Sequence, residues 1–220
     1  VRAAGVIFDL DGVLADSEQL WDRLRREVVA AHSGSWGPGA TEAMMGMSTP
    51  EWSAYLVEQL GARATPEDIA EHVIERMAEH YTADPPILPD AVPTVRTVAE
   101  RYPTAIASSA PPRIIRAFLD TTGLGEQVGT AVSSEQVGAG KPAPDVYLEA
   151  AAGLGADPAR CAAVEDSASG LRAAAAAGMT VFAVPNPHFP PPEEALALTH
   201  RVLRGIARLP DALADLAEEP

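Results

Sequence analysis

Five short apolar runs, each the length of a strand and each broken off by polar residues, set the strongest limit on how this chain can fold. They are Gly5–Phe8, Thr104–Ala107, Thr130–Val132, Cys161–Val164 and Thr180–Val184, the last expected to be the final strand. Runs this short fit strands buried on both faces. Beyond Asp84, stretches of helical length separate them: Val92–Arg101, Pro112–Thr121, Asp145–Ala152 and the Ala-rich Ser167–Ala177, closed by Gly178. Such alternation implies a parallel sheet with helices on both faces. In sheets of this kind ligands bind beyond the carboxyl ends of the strands. Chemistry should therefore gather where the runs stop.

Between the first run and Asp84 the pattern is helix and loop. Leu20, Leu24 and Val28 recur at helical spacing beside Trp21, predicting a helix over 17–32 that Asp16 or Ser17 can cap. Thr41–Met45 reads as a short helix closed by Gly46. Ser48-Thr49-Pro50-Glu51 starts another, with Glu51 placed for a capping box and Gly61 as its stop. Thr65-Pro66-Glu67-Asp68 starts a fourth, with Ile69, Val73 and Met77 on one stripe. Pro190-Pro191-Pro192 reads as a surface loop. The expected fold class is α/β: a Rossmann-like parallel sheet core, residues 1–16 and 86–220, with an inserted α-helical cap over 17–85.

The first run stops at Asp9-Leu10-Asp11-Gly12. In extended backbone Asp9 and Asp11 point the same way, and Gly12 allows a sharp turn. Two such carboxylates repel unless one is protonated or a cation sits between them, and an all-oxygen site favours Mg²⁺. Taken alone, the motif is equally an acidic turn after a strand. The second run stops at Ser108-Ser109, where a hydroxyl, loop amides and the dipole of the next helix can bind phosphoryl oxygens. A plain ST-turn would look the same. After the third comes Gly140-Lys141-Pro142-Ala143-Pro144-Asp145. Lys141 is the only lysine beside fifteen arginines, which suggests a compact point charge that Arg's planar fork would not supply. The fourth stops at Glu165-Asp166-Ser167, either hard oxygen ligands or an acidic helix cap.

A net charge of −15 argues against nucleic acid or an anionic membrane as partner. It also requires local positive charge to draw in an anionic substrate. One cysteine, Cys161, excludes an internal disulfide and suggests a reducing compartment. No apolar run reaches about 18 residues and no signal-peptide core is seen, so a soluble cytoplasmic protein is expected, as a monomer or weak homodimer.

Phe8-Asp9-Leu10-Asp11-Gly12-Val13-Leu14-Ala15-Asp16-Ser17 resembles the first signature of the haloacid dehalogenase superfamily. Ser108 falls at the second, Lys141-Pro142-Ala143-Pro144-Asp145 resembles the third, and Glu165-Asp166-Ser167 with Gly170 resembles the fourth. The likeness spans about 3–16 and 88–185 and is weaker in the helical insertion. It implies a phosphohydrolase with Asp9 as nucleophile and Asp11 as acid–base. It implies phosphate binding by Ser108, Ser109 and Lys141, and Mg²⁺ held through Asp9, Asp11, Glu165 and Asp166. The substrate implied is a small phosphorylated metabolite, such as a sugar phosphate, and turnover runs through an aspartyl-phosphate. The subgroup resembled contains β-phosphoglucomutase-like proteins and sugar-phosphate phosphatases. True mutases carry His where Trp21 stands and Arg where Thr49 follows Gly46, so a hydrolase is expected before a mutase. A non-catalytic phospho-acceptor or metabolite-binding module is the remaining alternative. Trp21, Met44, Met45, Met47 and Trp52 either line an apolar part of the pocket or pack the cap.

Overall fold

The computed structural model describes residues 3–44, 47–187 and 190–218. Its centre is β1 (Gly5–Phe8), in which Val6, Ile7 and Phe8 are wholly buried. Parallel neighbours flank it: β2 (Thr104–Ser108) and β3 (Val128–Ser133) on one side, β4 (Cys161–Glu165), β5 (Thr180–Ala183) and β6 (Arg201–Val202) on the other. The sheet order is β3-β2-β1-β4-β5-β6. Alternate residues of β1 serve opposite faces, as strand geometry demands. Val6 and Phe8 pack toward the helices α5 (Ala91–Ala99), α6 (Pro112–Thr122) and α10 (Leu209–Glu218), while Ile7 packs toward α7 (Asp145–Gly153) and α8 (Ala168–Ala176). Register aligns the strand ends. Phe8 lies opposite both Ile106 and Val164, so Asp9 emerges beside Ala107 and Glu165.

After β1 the chain enters α1 (Glu18–Ala31), α2 (Ala40–Met44), α3 (Thr49–Glu58) and α4 (Pro66–Ala83). Outgoing and returning segments run side by side, with Asp16 N–H donating to the Pro86 carbonyl at 2.7 Å and Leu88 N–H to that of Leu14 at 3.0 Å. Tyr81 of α4 meets Phe118 of α6 edge-on at 6.5 Å, which seats the helical layer on the sheet layer. Caps follow the sequence at two starts: Glu51 accepts the Ser48 N–H at 2.7 Å, and Thr65 accepts that of Asp68 at 3.1 Å. Ser17 occupies the cap position of α1 but makes no side-chain cap bond, its hydroxyl being given to Asp11 instead.

Two expectations need correction. The fifth strand is not the last, because β6 extends the sheet through His200 N–H to Val181 and Leu203 N–H to Ala183. Two residues carry no periodicity to announce a strand. The chain then closes with α9 (Glu193–Leu196) and α10, whose Leu209, Ala212 and Leu213 are buried. Pro190–Pro192 is not merely a surface loop, since Pro191 is buried and all three prolines border the main cavity. The expected helix end at Met45 and Gly46 lies outside the described residues. No described helix is long and apolar enough to cross a membrane.

Candidate active site

The strand ends bring four charged groups together in a nearly dry place. Asp9, Lys141, Glu165 and Asp166 are 6%, 8%, 0% and 5% exposed. Lys141 Nζ donates to Asp9 Oδ1 at 2.8 Å, to Glu165 Oε1 at 2.5 Å and to the Ala107 carbonyl at 3.1 Å. All three of its N–H bonds are therefore used. Burial pulls its pKa down, but Asp9 and Glu165 outweigh burial and hold the ammonium above its ordinary range. Asp9, Glu165 and Asp166 each bring an oxygen within 4.8 Å of the others. Burial pushes the carboxyls of Asp9 and Asp166 well up. Lys141 offsets this at Asp9, while Glu165 adds repulsion to both. One cation among three acids leaves the cluster short of positive charge.

Glu165 differs from its neighbours in being fully hydrogen-bonded. Oε1 accepts from Lys141 and from the Tyr147 hydroxyl at 2.8 Å. Oε2 accepts from the backbone of Asp166 at 3.0 Å, and from the backbone and hydroxyl of Ser167 at 3.2 and 3.1 Å. The Asp166 side chain has no donor among the described residues and faces the cavity. Two glycines make these placements possible. A Cβ on Gly12, which sits at φ +84°, would fall 1.9 Å from Asp166 Oδ2, and one on Gly170 would fall 1.7 Å from Glu165 Oε1. Because Glu165 is pinned on both oxygens, it cannot yield cheaply. Gly170→Ala is expected to destabilise the fold by about 2–4 kcal/mol, the cost of one or two bonds to a charged group, lowering Tm by roughly 5–15 °C. A melting curve matching the wild type would show that Glu165 moves freely.

Asp11 lines the same cavity but is held by residues of the helical layer. Its Oδ1 accepts from Ser17, from the Trp21 indole N–H at 3.3 Å and from the Tyr81 hydroxyl at 3.4 Å. Burial raises its pKa, and the bonds from Ser17 and Trp21 work against that rise. Its carboxylate is outside the cluster formed by Asp9, Glu165 and Asp166. Ser109 lines the cavity, whereas Ser108 is fully buried in β2, where its Oγ accepts the Ala110 N–H at 2.9 Å. Sequence spacing does not mark Tyr147 or Tyr81 as site residues, although a buried tyrosine hydroxyl calls for a partner.

Above the cluster lies a cavity of about 620 Å³. Asp9, Lys141, Asp166 and Ser109 form its floor, and Glu18, Trp21, Arg25, Met44, Met47 and Trp52 reach it from the helical layer. Trp21, Met44 and Trp52 are also buried, so they pack the helices and line the pocket at once.

With the site in view, likeness to known proteins fits the geometry. The family model for haloacid dehalogenase-like hydrolases matches residues 3–178, and the chain belongs to that family, as an enzyme of the phosphatase kind. Among particular relatives, hexitol phosphatase B of Escherichia coli K12 is 33% identical over 82% of this chain and 83% of its own. Fructose-1-phosphate phosphatase YqaB of the same organism is 31% identical over 81% and 94%. The structure of CbbY from Rhodobacter sphaeroides in complex with phosphate superposes with a TM-score of 0.83, at 25% identity over 94% of this chain and 96% of that one.

Proposed function

We propose that this enzyme hydrolyses the monoester of a small phosphorylated sugar or related metabolite, with Asp9 as nucleophile. One observation carries the reading: Asp9 ends the central strand, bonded to the only lysine and grouped with Asp166 on the floor of a closed-in cavity. Relatives named as hexitol and fructose-1-phosphate phosphatases support the substrate class. Asp9 attacks phosphorus in line and forms an aspartyl-phosphate. Asp11, lifted by burial so that it holds a proton longer, protonates the leaving oxygen and then takes a proton from the water that frees phosphate. Lys141 keeps Asp9 aimed and offsets its charge, and Ser109 meets a phosphoryl oxygen. Ser108 shapes the loop by accepting the Ala110 N–H.

Asp9 and Asp166, with the Asp11 carbonyl, fit Mg²⁺: the donors are all oxygen, and the Asp166 carboxylate has no other partner among the described residues. Bound there, the ion supplies positive charge against the phosphoryl oxygens. Glu165, already saturated, acts chiefly by fixing Lys141 and the Asp166 loop. Residues 17–85 act as a cap that closes over the core, 1–16 and 86–220, and selects the leaving group. Trp21, where mutases carry His, gives its N–H to Asp11 and does not exchange protons with it, which favours hydrolase over mutase.

Phosphate release from a panel of sugar phosphates, phosphoglycolate and nucleotides, with and without Mg²⁺, tests this. Mg²⁺-dependent release led by sugar phosphates is expected, and inertness toward the whole panel would refute it. Stability offers a second test. Asp9, Asp11 and Asp166 have folded pKa values raised above the unfolded value near 4, so they favour the fold at low pH and this support is lost as pH rises toward the folded values. Mg²⁺ at 100 times its Kd should therefore add about 2.7 kcal/mol at pH near 7.5, or roughly 5–10 °C in Tm, and clearly less near pH 5, where protons compete. Melting curves against EDTA would read this, and identical curves at both pH values would remove the cation from the site.

A further inference from the structure

The helical layer brings one arginine, Arg25, to the wall of the cavity. Arg25 Nε is buried without a hydrogen-bond partner, and among the described residues its guanidinium makes no hydrogen bond or ion pair. Two tryptophan rings lie beside it, their centres 5.0 Å (Trp21) and 4.9 Å (Trp52) from its Cζ and 6.3 Å from each other, too close together to cover opposite faces of the guanidinium. These cation–π contacts supply no acceptor to the Nε–H. A buried donor without an acceptor is costly, so an oxygen supplied by a ligand is the natural partner. Glu18 stands seven positions earlier on α1, hence on the same face, and lines the same cavity. Its carboxyl likewise has no hydrogen bond or ion pair among the described residues. Burial first, then Asp11, pushes it up to about 7, so it serves as acceptor or donor.

We propose that Arg25 and Glu18 form a donor–acceptor couple that selects esters whose leaving group is an uncharged, hydroxylated carbon chain, and that discriminates against a second anionic group. The proposal rests on the phosphatase reading above. A polyol chain offers each hydroxyl both as acceptor to Arg25 and as donor to Glu18, while the tryptophans cover its C–H faces. A second phosphate would also attract Arg25, but it would meet Glu18 and Asp22 on the same helix face. Asp22, bound to Arg26 at 2.6 Å and to the Thr41 hydroxyl at 2.5 Å, adds a further negative charge to that face. Arg172, another cation in the wall, is paired with Glu194 at 3.0 Å.

The test compares kcat/KM for a linear alditol monophosphate, the alkyl phosphate of equal chain length and the alditol bisphosphate. The proteins are wild type, Arg25→Met and Glu18→Gln. Wild type should prefer the alditol monophosphate to both others. Arg25→Met should lower the alditol-to-alkyl ratio by about 10-fold or more, mostly through KM. Glu18→Gln, which is nearly isosteric, should raise the relative rate on the bisphosphate several-fold. Equal losses on all esters would make Arg25 a packing residue, and a wild-type preference for the bisphosphate would make it an anion reader; either overturns the proposal. Wild type turning over none of the esters would overturn the phosphatase reading itself, and the proposal with it.

Discussion

Asp9→Asn is expected to abolish phosphate release, a loss of at least about 10⁴ in kcat, while Tm stays within a few degrees of wild type. The amide keeps the shape of the carboxylate and removes the nucleophile. It also removes one negative charge from a cluster where burial already disfavours the ionised form. Lys141 keeps Glu165 and the Ala107 carbonyl as acceptors, so the loop it anchors should survive. Phosphate assays and melting curves on the same sample separate loss of chemistry from loss of fold. Retained turnover in a folded Asp9→Asn protein would rule out this nucleophile.

Lys141→Met should damage both fold and activity. It leaves Asp9 and Glu165 facing each other without their shared cation. Breaking a buried pair by removing one partner costs about 3–5 kcal/mol, which converts to a Tm lowered by roughly 6–20 °C. Activity should fall by about 10² or more, the usual cost of losing a charge aimed at the reacting group. Lys141→Arg should rescue little, since three acceptors converge on one nitrogen and a planar fork cannot meet them. Lowering the pH should restore part of the lost stability in Lys141→Met. Its unpaired acids then have raised folded pKa values and favour the fold when protonated. Wild-type stability in this variant would mean that the ion pairs contribute nothing.

How legible these features were in the sequence depended on how local their causes are. β1, and the strand ends at Asp9 and Glu165, follow from short apolar runs that stop abruptly, and the structure places both acids beside Lys141. The apolar run predicts a strand over Thr104–Ala107 that stops at Ser108-Ser109. The strand runs one residue further, which buries Ser108 and hands the cavity position to Ser109. The aim of Asp11 was not legible, because Tyr81, one of the groups that hold it, lies seventy residues away. Part of the setting of Arg25 is hidden in the same way: Trp52 comes from α3, whereas Trp21 lies four residues back on α1. The closing helix α10 did carry a readable signal: Leu209, Ala212, Leu213 and Leu216 recur at helical spacing. β6 carried none, being only Arg201–Val202.

Rapid acid quenching during turnover, followed by peptide mass spectrometry, looks directly at whether the buried aspartate at the end of β1 accepts the phosphoryl group. A phosphoryl adduct on the peptide bearing Asp9, rising and decaying with turnover and absent from Asp9→Asn, is the predicted result. Phosphate release at full rate with no adduct, or an adduct confined to another residue, would contradict it.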